Sequence, residues 1–498
     1  MRCLVLGATG YIGARLVPQL LSAGHDVRVM ARKPAKLDEV PWRRDVEVVE
    51  GDVTNGEQVR RALEGQQVLY YLVHSMLSLD FVDLDARAAS IVADAAARAG
   101  LSRIVYVGGI IPDQQQLSDH LASREEVGRL LHESGVPTVE LRAAAIIGAG
   151  SASFEMLRYL TERLPLMVTP RWLRTRVQPI AVHDVLYYLT NAAELPVDVS
   201  RAFDIGGPDT FTYTDMIRKY AAIAGLQRRI AVPVPVLTPW LSSHWVHLIT
   251  PLPRSLVSSL MASLENDVVC NDHDIAAHIP DPENGLTHYE DAVELALARV
   301  HDGELRTRWS RPGPDDCPSR PLPTDPDWAG GSLHEQVSES RVDAEAETLW
   351  QVFESIGAEH GWSAAPPAWA LRGWLGPLAG AGRGDRESRQ PHHLHSGEAL
   401  DWWRVEHIDQ PRLLRLRADV PLPGRLWLEL SVHEDGDCGS RYRQRALFQP
   451  YGIAGEAFWK ASAPLRNAVL AGIARDITTK ARGASAAARK QPTRPRQL

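Results

Sequence analysis

The sequence predicts an α/β domain on a doubly wound parallel sheet, followed by an α+β domain with an antiparallel sheet. Three observations support this fold class. Short aliphatic and β-branched runs alternate with helix-like stretches from Cys3 to Leu141, and a glycine-rich turn separates the first run from the first helix. Farther along, a proline-rich segment precedes several short β-type runs and one long amphipathic pattern. Alternation is typical of parallel sheets with crossover helices, and the later pattern is typical of an antiparallel sheet with a packed helix.

The alternating runs define the first sheet. Six strands are predicted, at Cys3–Leu6, Val27–Met30, Val46–Val49, Val68–Val73, Ile104–Val107 and Thr138–Leu141. Helices are predicted between them, at Ile12–Ala23, Glu57–Leu63, Asp85–Ala99 and Glu125–Glu133. Helices of this length allow the right-handed crossovers that join parallel strands, so we expect six parallel strands covered by helices.

The chain divides at residues 306–332, where prolines recur among charged and small residues and predict an extended linker. Residues 1–230 are assigned to the parallel-sheet domain, and residues 231–305 to a lobe that completes it. Within these parts, Gln178–Asp184 and Ala202–Gly207 indicate further strands interleaved with helices.

An α+β domain is predicted over residues 333–483. A strand at Val337–Val342, a helix at Ala344–Ile356 and several strands between Leu400 and Phe448 indicate an antiparallel sheet. One long amphipathic helix is expected to close the domain, on the spacing of Phe458, Leu465, Val469, Ile473 and Ile477. The basic segment 484–498 is predicted to be a disordered tail.

The composition limits the class of protein. A chain of 498 residues with 44% hydrophobic and 23% charged residues is typical of a globular protein of two or three domains. The net charge of -8 provides no basic field, so nucleic acid is not an expected partner. Cys3, Cys270, Cys317 and Cys438 have no C-x-x-C spacing, which argues against a zinc site or a disulfide framework and favours a reducing cytoplasm.

No export signal or membrane span is expected. The first residues enter a strand and a glycine turn directly, which leaves no room for a signal peptide. Prolines and Arg254 interrupt the most apolar stretch, residues 232–264, so it falls short of the roughly 18 apolar residues that define a span. The apolar residues Pro239, Trp240 and Trp245 within it leave contact with a membrane surface or with a partner open. A cytoplasmic protein is expected.

The glycine-rich turn after the first strand is typical of dinucleotide-binding Rossmann domains. It reads Gly7-Ala8-Thr9-Gly10-Tyr11-Ile12-Gly13 and opens directly into a helix. Gly7 permits the tight turn, Gly10 lets backbone amides approach a pyrophosphate, and Gly13 lets the helix pack closely on the strand. The residues assigned to the cofactor site here are Gly7, Thr9, Gly10, Tyr11, Ile12 and Gly13.

The end of the second strand bears on the choice of cofactor. NAD-preferring sites place an acidic residue there, against the adenosine ribose. This chain has Arg32 and Lys33 instead, whose cations can bind a ribose 2′-phosphate. Asp52, followed by Val53 after the third strand, is placed to accept a hydrogen bond from the adenine amine. We therefore predict NADP(H) in preference to NAD(H), with NAD(H) left open.

Several segments together resemble a known superfamily. The segments are Gly7–Gly13, Gly51–Val53, His74–Ser75, Pro179–Asp184 and Phe203–Asp209. They are similar to the extended and atypical short-chain dehydrogenases/reductases, including the nitrogen-regulator-like NAD(P)-binding group, over residues 1 to about 300. The resemblance implies NADP(H) bound along the carboxyl ends of the strands, with His74 among the cofactor-binding residues, and a substrate-side lobe over the site.

The catalytic pattern of that superfamily is altered here. Active members carry a Tyr-x-x-x-Lys pair after the fifth strand and a Ser or Thr at its end. This chain has Gly108-Gly109 at the strand end, and His120 and Arg124 in place of the tyrosine and the lysine. By its reference pKa of about 6.5, His120 is expected to titrate near neutrality and donate a proton, with a structural histidine as the alternative. Arg124 is expected to hold the nicotinamide ribose.

Tryptophans concentrate in the second domain. Eight lie there: Trp350, Trp362, Trp369, Trp374, Trp402, Trp403, Trp427 and Trp459. They predict either a large aromatic core or an apolar ligand cavity. The sheet with its long helix, together with Ser396–Trp403 and Phe448–Gly452, resembles an uncharacterised domain of the helix-grip type, which includes polyketide cyclases and START-type lipid-binding proteins.

His392, His393 and His395 form the only metal-like cluster in the sequence. Adjacent residues on a strand point to opposite faces, so at most His393 and His395 share a side. No further ligand of suitable spacing is near, and no metal site is predicted.

These observations give a leading hypothesis and two alternatives. We expect an NADP(H)-dependent oxidoreductase that acts on an apolar small molecule with a carbonyl or an activated double bond. The first alternative is a non-catalytic NADP(H)-binding sensor or adaptor whose second domain binds a ligand, because the family's Tyr and Ser/Thr are both missing. An isomerase or dehydratase that retains its cofactor comes third. The substrate and the oligomeric state are left open.

Overall fold

The computed structural model describes residues 1–78, 80–112, 117–169, 171–233, 246–247, 249–305, 322–326, 328–329, 333–355, 394–395, 397–400, 403–434, 439–450 and 452–490. The chain separates into two compact units, Met1–Gly331 and Ser332–Leu498. Each unit is described by itself.

The first unit alternates strands and helices. Its strands are β1 (Arg2–Leu6), β2 (Asp26–Ala31), β3 (Glu47–Glu50), β4 (Val68–Tyr71), β5 (Arg103–Gly109), β6 (Thr138–Ala143), β7 (Ile146–Ile147), β8 (Leu166–Thr169), β9 (Arg176–Val177), β10 (Ile180–Ala181), β11 (Arg201–Ile205), β12 (Phe211–Thr212) and β13 (Ile230–Pro233). Its helices are α1 (Tyr11–Ser22), α2 (Gly56–Leu63), α3 (Phe81–Ala99), α4 (Asp119–Glu133), α5 (Ala152–Arg163), α6 (Val182–Ala192), α7 (Tyr213–Ile223), α8 (Arg254–Ser263) and α9 (Tyr289–Leu305).

The central sheet is parallel and has seven strands in the order β11-β6-β5-β4-β1-β2-β3. The predicted fold class is confirmed, but the predicted number of six strands was wrong. The seventh strand comes from the Ala202–Gly207 segment, which pairs with β6 at the edge of the sheet, for example Ala202 opposite Glu140. The crossover helix α6 precedes β11, so the rule that joins the first six strands also adds this one.

Side chains of the sheet alternate between two apolar cores. In β1, Cys3 and Val5 belong to the core that includes α1 and α6, whereas Leu4 and Leu6 belong to the core that includes α2 and α3. All four are completely buried. Helices therefore cover both faces of the sheet, which explains why its strands are continuously apolar.

Beyond β6 the chain forms three two-stranded pairs, β7 with β10, β8 with β13 and β9 with β12. Residues of α5, α7 and α9 share an apolar cluster with β7 and β9, which includes Phe154, Met216 and Tyr289. This part of the chain lies after the carboxyl ends of β5 and β6, and it provides the walls of the cavity described below.

The second unit contains an antiparallel sheet with helices. Its elements are β14 (His334–Val342), α10 (Ala346–Glu354), β15 (Ala399–Leu400), β16 (Trp403–Asp409), β17 (Leu413–Ala418), β18 (Gly424–Glu434), β19 (Ser440–Pro450), α11 (Gly452–Ala461) and α12 (Ala463–Lys490). The strand order is β14-β19-β18-β17-β16-β15, and the adjacent strands are antiparallel. The antiparallel sheet expected from the sequence is thus confirmed.

The end of the second unit differs from the prediction in two respects. The closing helix is divided into α11 and α12 at Ser462, because Pro464 lacks an amide donor and is accommodated only in a first helical turn. Ile473 and Ile477 of α12 do pack into the core of the sheet. The second difference is that α12 continues to Lys490, into the segment predicted as a disordered tail, of which residues 491–498 lie outside the described part.

Four of the eight tryptophans of this unit lie in the described residues. Trp350, Trp403, Trp427 and Trp459 are all buried. Trp350 and Trp403 belong to the core of the sheet, and Trp459 stacks on Phe448 with ring centroids 5.2 Å apart. Trp362, Trp369, Trp374 and Trp402 lie outside the described residues, as do Pro239, Trp240 and Trp245 of the first unit.

Among the helices that the structure describes, none combines the length and the apolar character that crossing a membrane requires.

Candidate functional site

Three glycines shape the turn between β1 and α1. Gly7 has a φ of 93°, in the left-handed region, and a Cβ there would lie 2.6 Å from the carbonyl oxygen of Leu72. A Cβ on Gly13 would overlap the carbonyl of Gly7. The amide of Gly10 donates to the Gly7 carbonyl at 2.9 Å and closes the turn. The backbone therefore needs glycine at Gly7, and the close approach of helix and turn needs it at Gly13.

The start of α1 is suited to an anion. No side chain caps its first turn, and no acidic residue lies there. By contrast, α2, α4 and α7 are capped by the side chains of Asn55, Ser118 and Thr212. Uncapped amides at the positive end of the helix dipole are the arrangement that binds a pyrophosphate. The turn therefore fits a dinucleotide.

The other residues of the turn contribute packing. Thr9 is half-buried, and Ile12 packs against the core between the sheet and α1. The Arg15 guanidinium covers the ring of Tyr11, 4.1 Å from its centroid. The Tyr11 hydroxyl is buried without a partner, and this burial raises its pKa. Thr9, Tyr11 and Ile12 thus shape the turn and add no charge to it, and the Arg15 cation is paired with Asp325.

Basic and acidic residues stand at the ends of β2 and β3. Arg32 and Lys33 are exposed, and neither has a hydrogen bond or an ion pair from its side chain to another described residue. The Thr54 amide and hydroxyl donate to Asp52 Oδ1 at 2.9 Å and 2.8 Å. Burial raises the pKa of Asp52, but the Thr54 bonds and the charge of Arg32 outweigh it and keep this pKa low. Val53 packs against the apolar core.

A buried carboxylate links two histidines in a hydrogen-bonded chain. Asp85, in α3, is completely buried and accepts from His74 Nδ1 at 2.7 Å and from the Ser75 amide at 2.9 Å. His74 Nε2 lies 3.3 Å from His120 Nδ1, and the two rings are stacked. Because His74 Nδ1 donates to the Asp85 carboxylate, the other nitrogen of the uncharged His74 ring, Nε2, is an acceptor. His120 Nδ1 is therefore the donor in the bond to His74 Nε2. In this arrangement, Nε2 of His120 is an acceptor.

Arg124 is part of the same cluster. Its Nη2 donates to Asp85 Oδ2 at 3.1 Å, and its guanidinium lies 5.6 Å from the centroid of the Tyr106 ring. The residue is 7% exposed, so the charge pair with Asp85 is buried. The sequence predicts that Arg124 holds the nicotinamide ribose. The structure instead gives it an internal partner, which is a reason to treat it as a positioning residue.

The environment of His120 corrects its predicted titration. Burial lowers its pKa well below the usual value, and the neighbouring His74 and Arg124 lower it further. Burial and the charge of Arg124 also lower the pKa of His74 to about 4. The expectation that His120 titrates near neutrality was therefore wrong. His120 does lie on one face of α4 with Arg124, and at neutral pH it is an uncharged hydrogen-bonding group.

An apolar cavity of about 140 Å³ lies against His120. Its wall includes Gly109 at the end of β5, which stands where the resembled family has a hydroxyl residue. Ile110 and Leu121 also line it, and the other lining residues come from the end of β6 and the segments after it: Ala143, Ala144, Ala145, Ile147, Ser153, Met156, Leu157, Leu160, Met167, Leu173, Tyr213, Met216, Ile217, Val246, Leu260, Met261, Ser263, Leu264 and Val268. His120 and Tyr213 are the titratable residues among those that line it. The cavity thus combines an apolar wall with a few polar groups, as ligand sites do.

Two residues of this site are absent from the sequence predictions. Asp85 carries a recognisable signal, because it shares one helical face with the buried Ala88, Ala89 and Val92, and a carboxylate on such a face needs a partner. Tyr213 has no comparable signal, since a tyrosine at the start of a helix is an ordinary packing residue.

No group of three or more His, Cys, Asp or Glu side chains arranged for a metal ion occurs among the described residues. His395 is described, whereas His392 and His393 lie outside the described part of the chain.

Family models match two parts of the chain. Residues 7–147 match a family described as NAD(P)H-binding. This range contains the glycine turn, the uncapped start of α1 and the ends of β2 and β3. Residues 7–147 are thus similar to NAD(P)H-binding domains, and the parallel sheet of the first unit is Rossmann-like. Residues 328–473 match a family described as "Protein of unknown function (DUF2867)", which covers most of the second unit.

Three curated relatives each match less than half of this chain. Ceramide reductase of Caulobacter vibrioides is 29% identical over 246 residues, which are 46% of this chain and 73% of that protein. A 3-beta-hydroxysteroid dehydrogenase of Mycolicibacterium neoaurum is 41% identical over 70 residues, which are 14% of this chain and 18% of that protein. Photosystem II assembly factor Ycf39 of Trieres chinensis is 24% identical over 235 residues, 46% of this chain and 71% of that protein.

Solved structures that match part of this chain include the Citrobacter sp. triphenylmethane reductase complexed with NADP(H). It has a TM-score of 0.49 and 19% identity, and the match covers 59% of this chain and 100% of that one. A nucleoside-diphosphate-sugar epimerase from Staphylococcus aureus has a TM-score of 0.47 and 16% identity, and its match covers 59% of this chain and 100% of that one.

Proposed function

We propose that the protein is an NADP(H)-dependent oxidoreductase that acts on an apolar small molecule carrying a carbonyl or hydroxyl group. The observation that carries the proposal is that His120 belongs both to the buried hydrogen-bonded chain and to the wall of the cavity. One of its ring nitrogens belongs to the chain that ends at Asp85, and its ring lines an apolar cavity at the end of β5. A titratable group with a fixed orientation at the wall of an apolar cavity is a common feature of acid–base sites.

The binding of the cofactor is assigned to the glycine turn and its surroundings. The amides at the start of α1 would hold the pyrophosphate, and Asp52 would accept from the adenine. Arg32, with Lys33, would bind the ribose 2′-phosphate, since both cations are exposed and free of ion pairs in the described structure. This supports a preference for NADP(H) over NAD(H). When bound, the nicotinamide supplies or accepts a hydride.

His120 would handle the proton. Its Nε2 is an acceptor, so it can take the proton of a substrate hydroxyl as that hydroxyl is oxidised. In the reverse direction the same nitrogen must first take up a proton from water, which it then passes to the carbonyl oxygen. The Nδ1–H bond to His74 and the charge of Asp85 orient the ring and stabilise its transient positive charge, as a carboxylate does for an active-site histidine. Arg124 would position Asp85.

The names of two relatives agree with an apolar substrate, because one is named for a ceramide and another for a 3-beta-hydroxysteroid. The cavity of about 140 Å³ is of the size that accommodates a ring such as benzene, so it would hold the reacting part of a substrate. The sequence resemblance of the second unit to helix-grip domains supports a ligand-binding role for that unit, which stays a proposal.

The test is turnover with matched variants. Purified protein is incubated with NADPH and a set of apolar ketones, and the oxidation of NADPH is followed by absorbance. His120→Ala is expected to lower kcat/KM by about 10² or more, which is the usual contribution of an acid–base group. His132→Ala, on the same helix but paired with Glu140, is expected to change little. Equal activity of the two variants would contradict the role of His120.

A second function, a non-catalytic NADP(H)-binding sensor, has its own support. Arg124 is bound to Asp85, and Gly109 replaces the hydroxyl residue of the resembled family. Such a protein would bind NADPH and turn over none of the ketones. NADPH binding with Kd unchanged in His120→Ala, and no NADPH oxidation in the wild type, would favour the sensor over the enzyme.

A further inference from the structure

A tyrosine hydroxyl without a partner lies in the wall of the apolar cavity. Tyr213 is the first residue of α7, and it lines the cavity. Its hydroxyl forms no hydrogen bond with any residue that the structure describes. Two other tyrosines nearby are satisfied, because Tyr220 donates to Glu162 and Tyr289 donates to the backbone oxygen of Met216. Tyr11 and Tyr71 also have hydroxyls without a partner, but neither residue lines this cavity. Tyr213 is half-buried at the cavity wall, so its unpartnered hydroxyl is placed to bind a ligand there.

The other polar side chains of the wall do not offer the same donor. Ser263 is bonded to Ser118 and to the carbonyl of Ser259. His120 presents an acceptor, given the direction of its bond to His74. Ser153, in the first turn of α5, is the remaining polar side chain and has a short reach. Burial raises the pKa of Tyr213, so its hydroxyl retains its proton and can donate at neutral pH.

The size of the cavity limits what Tyr213 can meet. A volume of about 140 Å³ is close to that of an apolar protein cavity of about 150 Å³ that binds benzene. A six-membered ring with one oxygen substituent has this size. A ligand oxygen that enters this apolar cavity loses its hydrogen bonds to water. Without a donor in the cavity wall, this loss strongly disfavours binding of the ligand.

We infer that Tyr213 is a substrate-binding residue whose hydroxyl donates a hydrogen bond to an oxygen of a compact, otherwise apolar molecule of the size of a cyclic ketone. The inference rests on the proposed function in that the cavity is taken as the place of the substrate. It extends that function by naming the donor and the size of the group that the cavity selects. It also provides what the uncharged His120 ring lacks, a hydrogen-bond donor for a carbonyl oxygen.

The experiment compares two probes of nearly the same shape, cyclohexanone and methylenecyclohexane, which differ in one oxygen. Their Kd values are measured by calorimetry on the full chain, in the wild type and in Tyr213→Phe, which retains the ring. The affinity ratio of cyclohexanone to methylenecyclohexane is expected to fall about fivefold in the variant, the effect of one net hydrogen bond of about 1 kcal/mol. Tyr289→Phe, which removes a hydroxyl bonded outside the cavity, is expected to keep the wild-type ratio.

The outcomes separate this inference from the proposed function. An unchanged ratio in Tyr213→Phe, a fall of the same size in Ser153→Ala, or no binding of either probe to the wild type would overturn the assignment of Tyr213. NADPH oxidation that depends on His120 but ignores Tyr213 would leave the oxidoreductase standing without this inference. Conversely, a ratio that depends on Tyr213 in a protein that oxidises no NADPH would support the binding residue and refute the enzyme.

Discussion

Replacing Asp85 with asparagine should destabilise the first unit, because it leaves the Arg124 guanidinium buried without its counter-charge. Asp85 is completely buried, and Arg124 is 7% exposed. Removing one partner of such a buried pair usually costs about 3–5 kcal/mol of unfolding free energy. Asparagine has nearly the same shape as aspartate and can keep the hydrogen bond from the Ser75 amide, which is 2.9 Å long in the wild type. The expected loss of unfolding free energy is therefore at the lower end of this range, about 3 kcal/mol.

The assay is hydrogen exchange of peptides from α3 and α4 across a urea series, which reports the unfolding free energy of the first unit separately from the second. Asp83→Asn is the matched control, since Asp83 lies in the same helical turn but is exposed, and its loss should stay below about 0.5 kcal/mol. Asp85→Asn combined with Arg124→Met should recover part of the stability, because no uncompensated charge remains. A loss in Asp85→Asn no larger than in Asp83→Asn would refute the importance of the buried pair.

Four further outcomes are expected. Arg32→Ala should weaken NADPH binding by about 10- to 100-fold in fluorescence titrations and leave NADH binding nearly unchanged, the loss of a charged hydrogen bond to the 2′-phosphate. Equal losses for both nucleotides would contradict that role. Gly13→Ala should abolish binding of both nucleotides, since its Cβ overlaps the Gly7 carbonyl. A wild-type Kd in this variant would show that the turn tolerates the shift. Since the folded-state pKa of His74 is lowered from 6.5 to about 4, the unfolded chain takes up this proton first, and stability should fall between pH 6.5 and about pH 4. Urea midpoints at pH 7 and pH 5 measure this, and His74→Gln should make the difference smaller. Glu429→Gln should destabilise the second unit by about 3 kcal/mol, because this buried carboxylate lies between two arginines on neighbouring strands, and peptides of the first unit should exchange as in the wild type.

The parallel sheet could be predicted because its signals are local. Each strand run is followed by a helix pattern, and the handedness rule then leaves few arrangements. The seventh strand shows the limit of this reasoning. Alternation identifies Ala202–Gly207 as extended, but its place beside β6 depends on a pairing between distant segments that no local pattern records. The break at Ser462 was missed for another reason: the apolar spacing continues across it, and Pro464 interrupts only the backbone.

The candidate site was predicted in part. The i,i+4 spacing places His120 and Arg124 on one helical face, and both do meet Asp85 or its histidine partner. Their chemical states depend on tertiary neighbours, so the sequence gives the wrong titration for His120. Burial removes water from the ring, and the charge of Arg124 nearby disfavours a second positive charge. Neither effect follows from spacing along one helix.

The buried ion pair of Asp85 and Arg124 also explains why His120 presents an acceptor to the cavity. Lysine in the resembled family's position can exchange its proton and reach a cofactor ribose, whereas Arg124 keeps its charge and is bonded to Asp85. Asp85, fixed as an anion between Arg124 and His74, sets the direction of the bond from His74, and this direction in turn makes His120 Nε2 an acceptor. A carbonyl substrate then needs a donor from elsewhere in the cavity. Tyr213 has the one tyrosine hydroxyl among the described lining residues. Histidine and arginine at positions 120 and 124 of α4, in place of the resembled family's tyrosine and lysine, are thus consistent with a donor at Tyr213 on α7.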